Sequence, residues 1–79
     1  MKGLFSMKNP NRVAIWYKEK DDAQRLFDLK IISRKDYDYR TKLALGRIYR
    51  GGNSDDKRAA INMAKAHGYK LKEILDVSQ

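Results

Sequence analysis

Residues 26–45 read LFDLKIISRKDYDYRTKLAL, in which two apolar segments flank a serine and a run of charges with two tyrosines. Ser33 is followed three residues later by Asp36, a pattern that is typical of a helix start with an acid in the first turn. Before the serine, apolar residues recur at three- and four-residue spacing, as an amphipathic helix requires: Ala23, Leu26, Phe27. The stretch therefore predicts a helical hairpin.

The second arm of this hairpin should run from Ser33 to about Arg50, where Gly51-Gly52-Asn53 stops it. At 100° per residue, one apolar stripe results, with Tyr49 at its edge: Tyr37, Thr41, Ala44, Leu45, Ile48. We expect this stripe to be core, so that Tyr37 points inward while Tyr39 points outward.

Upstream, Asn9-Pro10 is a helix-start signal. The segment RVAIWY (12–17) fits a short helix or a short strand, with Val13, Trp16 and Tyr17 facing inward. The polar run KEKDD (18–22) predicts a break, after which a second helix capped by Asp21 or Asp22 should end near Lys30. Trp16 and Phe5 are further candidates for exposed contacts, but the core is the better assignment for Trp16, because a small domain needs its largest side chain inside.

Downstream, Ser54 with Asp55 and Asp56 predicts another helix start, and Gly68 predicts its end. This helix has a narrow face of small residues suited to close packing: Ala59, Ala60, Met63, Ala64. A short final helix should follow, carrying Leu71, Ile74 and Leu75.

The predicted fold class is therefore all-α, a small single-domain bundle of about four to five short helices. Residues 1–8 should form a flexible tail and residues 9–79 the domain, with the hairpin at 22–50 and a helix-turn-helix-like pair at 54–77. A chain of 79 residues without cysteine buries a small core and has no disulfides, so a homodimer is a reasonable expectation.

The excess of basic residues indicates which classes of binding partner to expect. Lys and Arg number 18 against 10 Asp and Glu, a formal net charge of +8, which favours DNA, RNA or an acidic protein surface. The N-terminal stretch lacks the apolar region of a signal peptide, and no run is long enough to span a membrane. These features predict a cytoplasmic protein without a membrane partner.

Several kinds of chemistry are excluded by composition. With one histidine and no cysteine, neither a zinc site nor a Ser-His-Asp or Cys-His arrangement has the residues or motif it needs. The acid pairs Asp21-Asp22 and Asp55-Asp56 resemble Mg²⁺ ligands, but capping explains them better, and His67 fits a C-terminal helix residue near the dipole. We expect no enzymatic activity, no metal and no cofactor.

The candidate binding surface is the outer face of the helix that follows Ser33. It is basic and is interrupted by an aromatic and a leucine: Lys35, Tyr39, Arg40, Leu43, Arg47, Arg50. Four further cations would extend it if neighbouring helices lie alongside: Arg12, Lys57, Arg58, Lys65. Such residues can neutralise phosphates and stack on bases. The alternative is a solvated face with Tyr39 and Leu43 packed under the N-terminal segment.

Residues 26–45 resemble the SHOCT module, a short hairpin with a leucine-rich helix, a Gly-x-Ile-Ser/Thr turn, acids, an aromatic and a basic, leucine-rich helix. The matching positions are Leu26, Leu29, Ile32-Ser33, Asp36, Tyr37, Arg40 and Leu45. Lys30 stands where that family prefers glycine, and Arg34-Lys35 stand where acids usually follow, which places cations against a helix dipole. The resemblance implies an oligomerisation or nucleic-acid-binding module.

Two functions remain open. The first is a nucleic-acid-binding protein with a regulatory or accessory role. The second is a protein–protein interaction module, such as an adaptor or inhibitor of a larger host protein of the kind that phages and mobile elements encode, with Tyr and Arg side chains as its anchors.

Overall fold

The computed structural model describes residues 11–79, and the side chains from residue 13 onward. It contains four helices: α1 (Asn11–Asp28), α2 (Arg34–Gly51), α3 (Ser54–His67) and α4 (Leu71–Val77). Between residues 11 and 79 there is no strand, so the predicted all-α class is confirmed. The predicted tail at 1–8 and the Asn9-Pro10 start lie outside the described residues.

Helix α1 runs without interruption through residues 18–22, so the predicted break there is wrong. Asp22 forms two ion pairs along the exposed side of the helix, with Lys18 of the same run at 3.2 Å and with Arg25 beyond it at 3.0 Å. The hydrogen bond from Lys18 lowers the pKa of Asp22. Because Ala23, the residue directly after the run, is buried, the inward stripe of the helix continues past the polar run. A helix can therefore cross a segment that has no large apolar residue.

The hairpin turn between α1 and α2 lies where the sequence predicted it. Lys30 adopts the left-handed conformation with φ 61°. Its amide donates to the Phe27 carbonyl and the Ile31 amide to the Leu26 carbonyl, both at 2.9 Å, which is the Schellman pattern. Ser33 then caps α2 by accepting a hydrogen bond from the Asp36 amide at 3.1 Å.

The left-handed Lys30 leads to a stability prediction. Gly68, at φ 83°, ends α3 with the same pair of hydrogen bonds, from its own amide to Lys65 and from the Tyr69 amide to Ala64. A side chain in this conformation costs about 1–2 kcal/mol, and glycine gives back about 0.5–1 kcal/mol in unfolded-state entropy. Lys30→Gly is therefore expected to raise the free energy of unfolding by about 0.5–1 kcal/mol in urea titrations. Gly68→Lys is the reciprocal control and should lower it; a Lys30→Gly protein no more stable than the wild type would contradict the assignment.

Helix α2 is the central helix, and each of the other three packs against it. The predicted stripe is confirmed, since every member is buried: Tyr37, Thr41, Ala44, Leu45, Ile48. Ala60 and Ala64 are the buried residues of α3, and their small side chains let α3 lie close to Leu45 and Ile48. The core is therefore organised around one face of α2.

Helix α3 begins at Ser54, but its cap is Asn53 and not Ser54. The Asn53 side chain accepts from the Asp56 amide at 2.9 Å, and the Asp56 carboxylate accepts from the Asn53 amide at 3.1 Å. Asn has the same short acceptor as Ser and stands one residue earlier, so it completes the capping box with Asp56. Asp56 also accepts from the Tyr17 hydroxyl at 3.1 Å, which ties α3 to α1.

Candidate nucleic-acid interface

A groove with two arginines lies where the N-terminal half of α1 meets the C-terminal half of α2. Its volume is about 310 Å³ and its lining is Val13, Trp16, Arg47, Arg50 and Gly51. We call it the basic groove. No carboxylate is among the described residues that line it, and neither arginine forms an ion pair with a described residue.

The two arginines of the basic groove are held differently. The Arg47 guanidinium lies over the Trp16 ring, 4.4 Å from its centroid, a cation–π arrangement in which the N–H groups at the edge of the guanidinium can still donate to an anion. Arg50 donates to the Ser78 hydroxyl at 3.1 Å and to the Leu75 carbonyl at 3.0 Å. Arg50 thus also fastens α4 to α2, whereas Arg47 has no such structural bond to a described residue.

A second groove adjoins the first and shares Trp16 with it. Its volume is about 240 Å³, and it is lined by Trp16, Glu19, Asp36, Tyr39, Arg40, Leu43 and Ala44. We call it the aromatic groove. Tyr39 is 54% exposed, in contrast to the buried Tyr37, so the two tyrosines face opposite ways as the sequence predicted. A further depression beside Tyr39 includes Lys35.

The six residues of the predicted surface thus lie along one side of α2, but not all of their charges are free. Arg40 pairs with Asp36 at 3.1 Å, one turn earlier in the same helix. Arg34 pairs with Asp38 in the same way at 3.4 Å, which offsets its unfavourable position near the start of α2. Both pairs have the i,i+4 spacing, a signal that the sequence carries. The cations of this face that form no ion pair with a described residue are Lys35, Arg47 and Arg50, and the two arginines lie together in the basic groove.

Of the four cations predicted to extend the binding surface, the three with described side chains lie outside both grooves. The Arg12 side chain lies outside the described residues. Lys57 donates to the Tyr49 carbonyl at 2.7 Å and lies over the Tyr49 ring, so it supports the junction of α2 and α3. Lys65 lines a different groove with Tyr69 and Lys70. Arg58 is exposed on α3, and neither groove includes it.

Trp16 and Glu19 of α1 line the grooves in addition to the predicted surface of α2. Trp16 packs against the core and is also the wall that the two grooves share, so it is both a core residue and a candidate contact. Glu19 lies in the polar run where a break was predicted, and only a continuous α1 places it beside Trp16 in the aromatic groove. No signal in the sequence pairs these α1 residues with α2.

His67 belongs to an aromatic cluster on another side of the molecule. Its ring stacks on Tyr69 with 5.3 Å between centroids and lies 6.1 Å from Tyr37. Burial and the positive charge of Lys20 lower the pKa of His67, with a smaller contribution from Arg34 and an opposing one from Asp38. His67 is the last residue of α3, as the sequence predicted, and its surroundings there favour the neutral imidazole. In the same cluster, burial and the 2.6 Å hydrogen bond to Asp38 raise the pKa of Tyr69.

This cluster predicts a pH dependence of stability. His67 has a folded-state pKa below its ordinary value of 6.5, so the unfolded chain takes up the proton first as the pH falls. The stabilisation is complete above pH 6.5 and is lost as the pH falls through the folded-state pKa. Urea unfolding at several pH values from 7 to about 5, above the range where unperturbed carboxylates titrate, should show falling stability. His67→Gln should flatten this slope; equal slopes in the two proteins would contradict the assignment.

Each of the two acid pairs contains a residue with a structural contact. Asp56 of the second pair completes the capping box of α3. The first pair, Asp21-Asp22, lies inside α1 and not at a helix start, and Asp22 pairs with two cations. No group of three potential metal ligands occurs among the described side chains. None of the helices of residues 11–79 combines the length and apolar character needed to cross a bilayer.

No protein-family model, curated protein or solved structure matches this chain. The two grooves and their side chains are therefore the basis for a functional proposal.

Proposed function

We propose that this protein is a small nucleic-acid-binding protein with a regulatory or accessory role, and that the basic groove is its phosphate site. The observation that carries the proposal is the pair Arg47 and Arg50 in one groove without a carboxylate in its described lining. Arginine presents a planar fork of donors that suits phosphate oxygens.

Three further features support this assignment. The chain has a formal net charge of +8, so a polyanion is attracted from a distance. Arg47 is oriented by the Trp16 ring, which reduces the entropy lost when it binds an anion. The resemblance of residues 26–45 to the SHOCT module agrees with a binding role.

The test is a polarisation titration of labelled duplex DNA, single-stranded DNA and RNA at two salt concentrations, comparing Arg47→Ala with Arg25→Ala. Arg25 is exposed, is paired with Asp22 and lies outside both grooves, so this control removes the same charge elsewhere. A hydrogen bond to a charged group contributes about 1.5–3 kcal/mol, so Arg47→Ala should weaken binding roughly tenfold or more. The slope of the log binding constant against the log salt concentration should become shallower by about the contribution of one phosphate contact. Arg25→Ala should change the affinity and this slope little.

Arg50 is left unchanged in this test because its bonds to Ser78 and Leu75 hold α4, and a loss of binding there would be ambiguous. Equal weakening by the two variants would move the phosphate site away from the basic groove. Absence of binding to every nucleic acid at low salt would remove the proposal.

In that case the second candidate, a protein–protein interaction module, takes its place. The observation that favours it is the hairpin tip, where Leu29 is 62% exposed and Ile31 is 63% exposed on either side of Lys30. Aliphatic side chains that flank a cation suit an apolar protein surface with an acidic rim. The same cation disfavours contact between two copies of the tip.

A further inference from the structure

The aromatic groove is lined by aromatic and aliphatic side chains of the kind that bind a nucleobase. Trp16 and Tyr39 supply aromatic surface, and Leu43 and Ala44 supply aliphatic surface between them. Tyr39 is half exposed and the groove opens to solvent, so a planar ring has access to it. Bases of single strands bind to such aromatic surfaces by stacking.

The two carboxylates that line this groove differ in whether they already form an ion pair. Asp36 is engaged by Arg40 at 3.1 Å. Glu19 is exposed and forms no ion pair with another described residue. A free carboxylate accepts hydrogen bonds and repels phosphate, so Glu19 favours a ligand that presents N–H groups on this side.

The two grooves share Trp16, and one is lined by two arginines while the other is lined by Glu19, which has no ion pair with a described residue. This arrangement of charge matches a nucleotide, which is anionic at its phosphate and carries N–H donors on its base. A basic peptide fits less well, since Arg47 and Arg50 would repel it. Base pairs in a duplex are stacked and their Watson–Crick edges are occupied, so only an unpaired base can enter.

We infer that the aromatic groove receives one unstacked base of a single-stranded nucleic acid, between Trp16 and Tyr39, while the neighbouring phosphate lies on Arg47 and Arg50. Glu19 accepts a hydrogen bond from the exocyclic amino group of the base, as carboxylates do with cytosine. Thymine and uracil have no exocyclic amino group, and their single N3–H lies between two carbonyl oxygens that the carboxylate repels, so they should bind less tightly than cytosine. This inference rests on the proposed function and adds the single-stranded form and a preference for amino-bearing bases.

Trp16 is the only tryptophan of the chain and lines both grooves, so its fluorescence reports on the place where they meet, and the abasic oligomer separates stacking of a base from binding of phosphate. The full chain is titrated at low salt with oligo-dC, oligo-dT, an abasic oligomer of equal phosphate number and a duplex, while polarisation reports binding. We expect Trp16 quenching by the single strands that carry bases, and none by the abasic oligomer or the duplex. Oligo-dC should bind several-fold more tightly than oligo-dT.

Glu19→Gln tests the hydrogen bond, because its amide also donates and should bring the two affinities together. Asp21→Asn is the matched control, since it removes one exposed charge from the same helix and should keep the oligo-dC preference. Binding by polarisation that is equal for the single strands, the abasic oligomer and the duplex, without quenching, overturns the inference and leaves the proposed function standing. No polarisation change with any of them overturns both. Quenching by a lysine-rich peptide, but by no oligonucleotide, assigns the groove to a protein partner and overturns the inference.

Discussion

Replacing Gly46 with alanine is expected to lower the free energy of unfolding by about 2 kcal/mol or more, although alanine is the better helix former. Gly46 lies in the middle of α2, and a Cβ there would collide with the Ile74 carbonyl and the Ser78 side chain. A carbonyl of the backbone cannot move aside as the end of a flexible side chain can. The added methyl should therefore push α4 away from α2.

The matched control for this variant is Gly51→Ala. Gly51 is the last residue of the same helix, and a Cβ there meets no atom within 4 Å. Because alanine has the higher helix propensity, Gly51→Ala should leave stability unchanged or raise it by up to about 1 kcal/mol. Urea titrations of the two variants measure the difference; a Gly46→Ala protein as stable as Gly51→Ala would show that α4 does not pack closely at Gly46.

Ile74→Ala is expected to lower the free energy of unfolding by about 2–5 kcal/mol, since it removes a fully buried aliphatic side chain. Helix α4 has seven residues and cannot persist in water by its own hydrogen bonds. Ile74 is its buried hydrophobic side chain in the core cluster. The loss should be seen first as fast amide hydrogen exchange in α4, while α1 to α3 remain protected.

Leu71→Ala is the control for this second variant, because Leu71 is 36% exposed on the same short helix. It should cost well under about 1 kcal/mol, as surface substitutions usually do. If Gly46→Ala and Ile74→Ala both act by releasing α4, their combined cost should be smaller than the sum of the two single costs. Simple additivity would mean that the two residues stabilise different parts of the fold.

The same packing affects the candidate site. Arg50 lines the basic groove and also holds α4 through Leu75 and Ser78. A protein with a displaced α4 loses these partners, so Gly46→Ala is expected to alter the basic groove without touching a groove residue. Binding measured on that variant therefore reports on α4 docking as well as on charge.

Local patterns predicted much of the fold. The periodic stripe from Tyr37 to Ile48, the cap at Ser33 and the stop at Gly68 depend on side chains within a few residues of each other, and all three are confirmed. The break at residues 18–22 was wrong because a polar run was interpreted without its i,i+4 ion pairs and without the small, buried Ala23 beyond it. No local pattern indicated that position 46 needs a glycine, because the atoms that a Cβ would meet there belong to residues 28 to 32 positions further along the chain.

What the sequence by itself determined about this protein is the all-α class, the hairpin turn and the outward face of α2, because helix periodicity and caps are set by neighbouring residues. Tertiary structure alone decided which residues of α1 join that face and that Arg50 also holds α4. Trp16 and Arg47 are 31 positions apart and come to 4.4 Å only because α1 and α2 pack antiparallel. Contacts between helices depend on how their faces fit, and a periodic pattern within one helix carries no information about its partner's register.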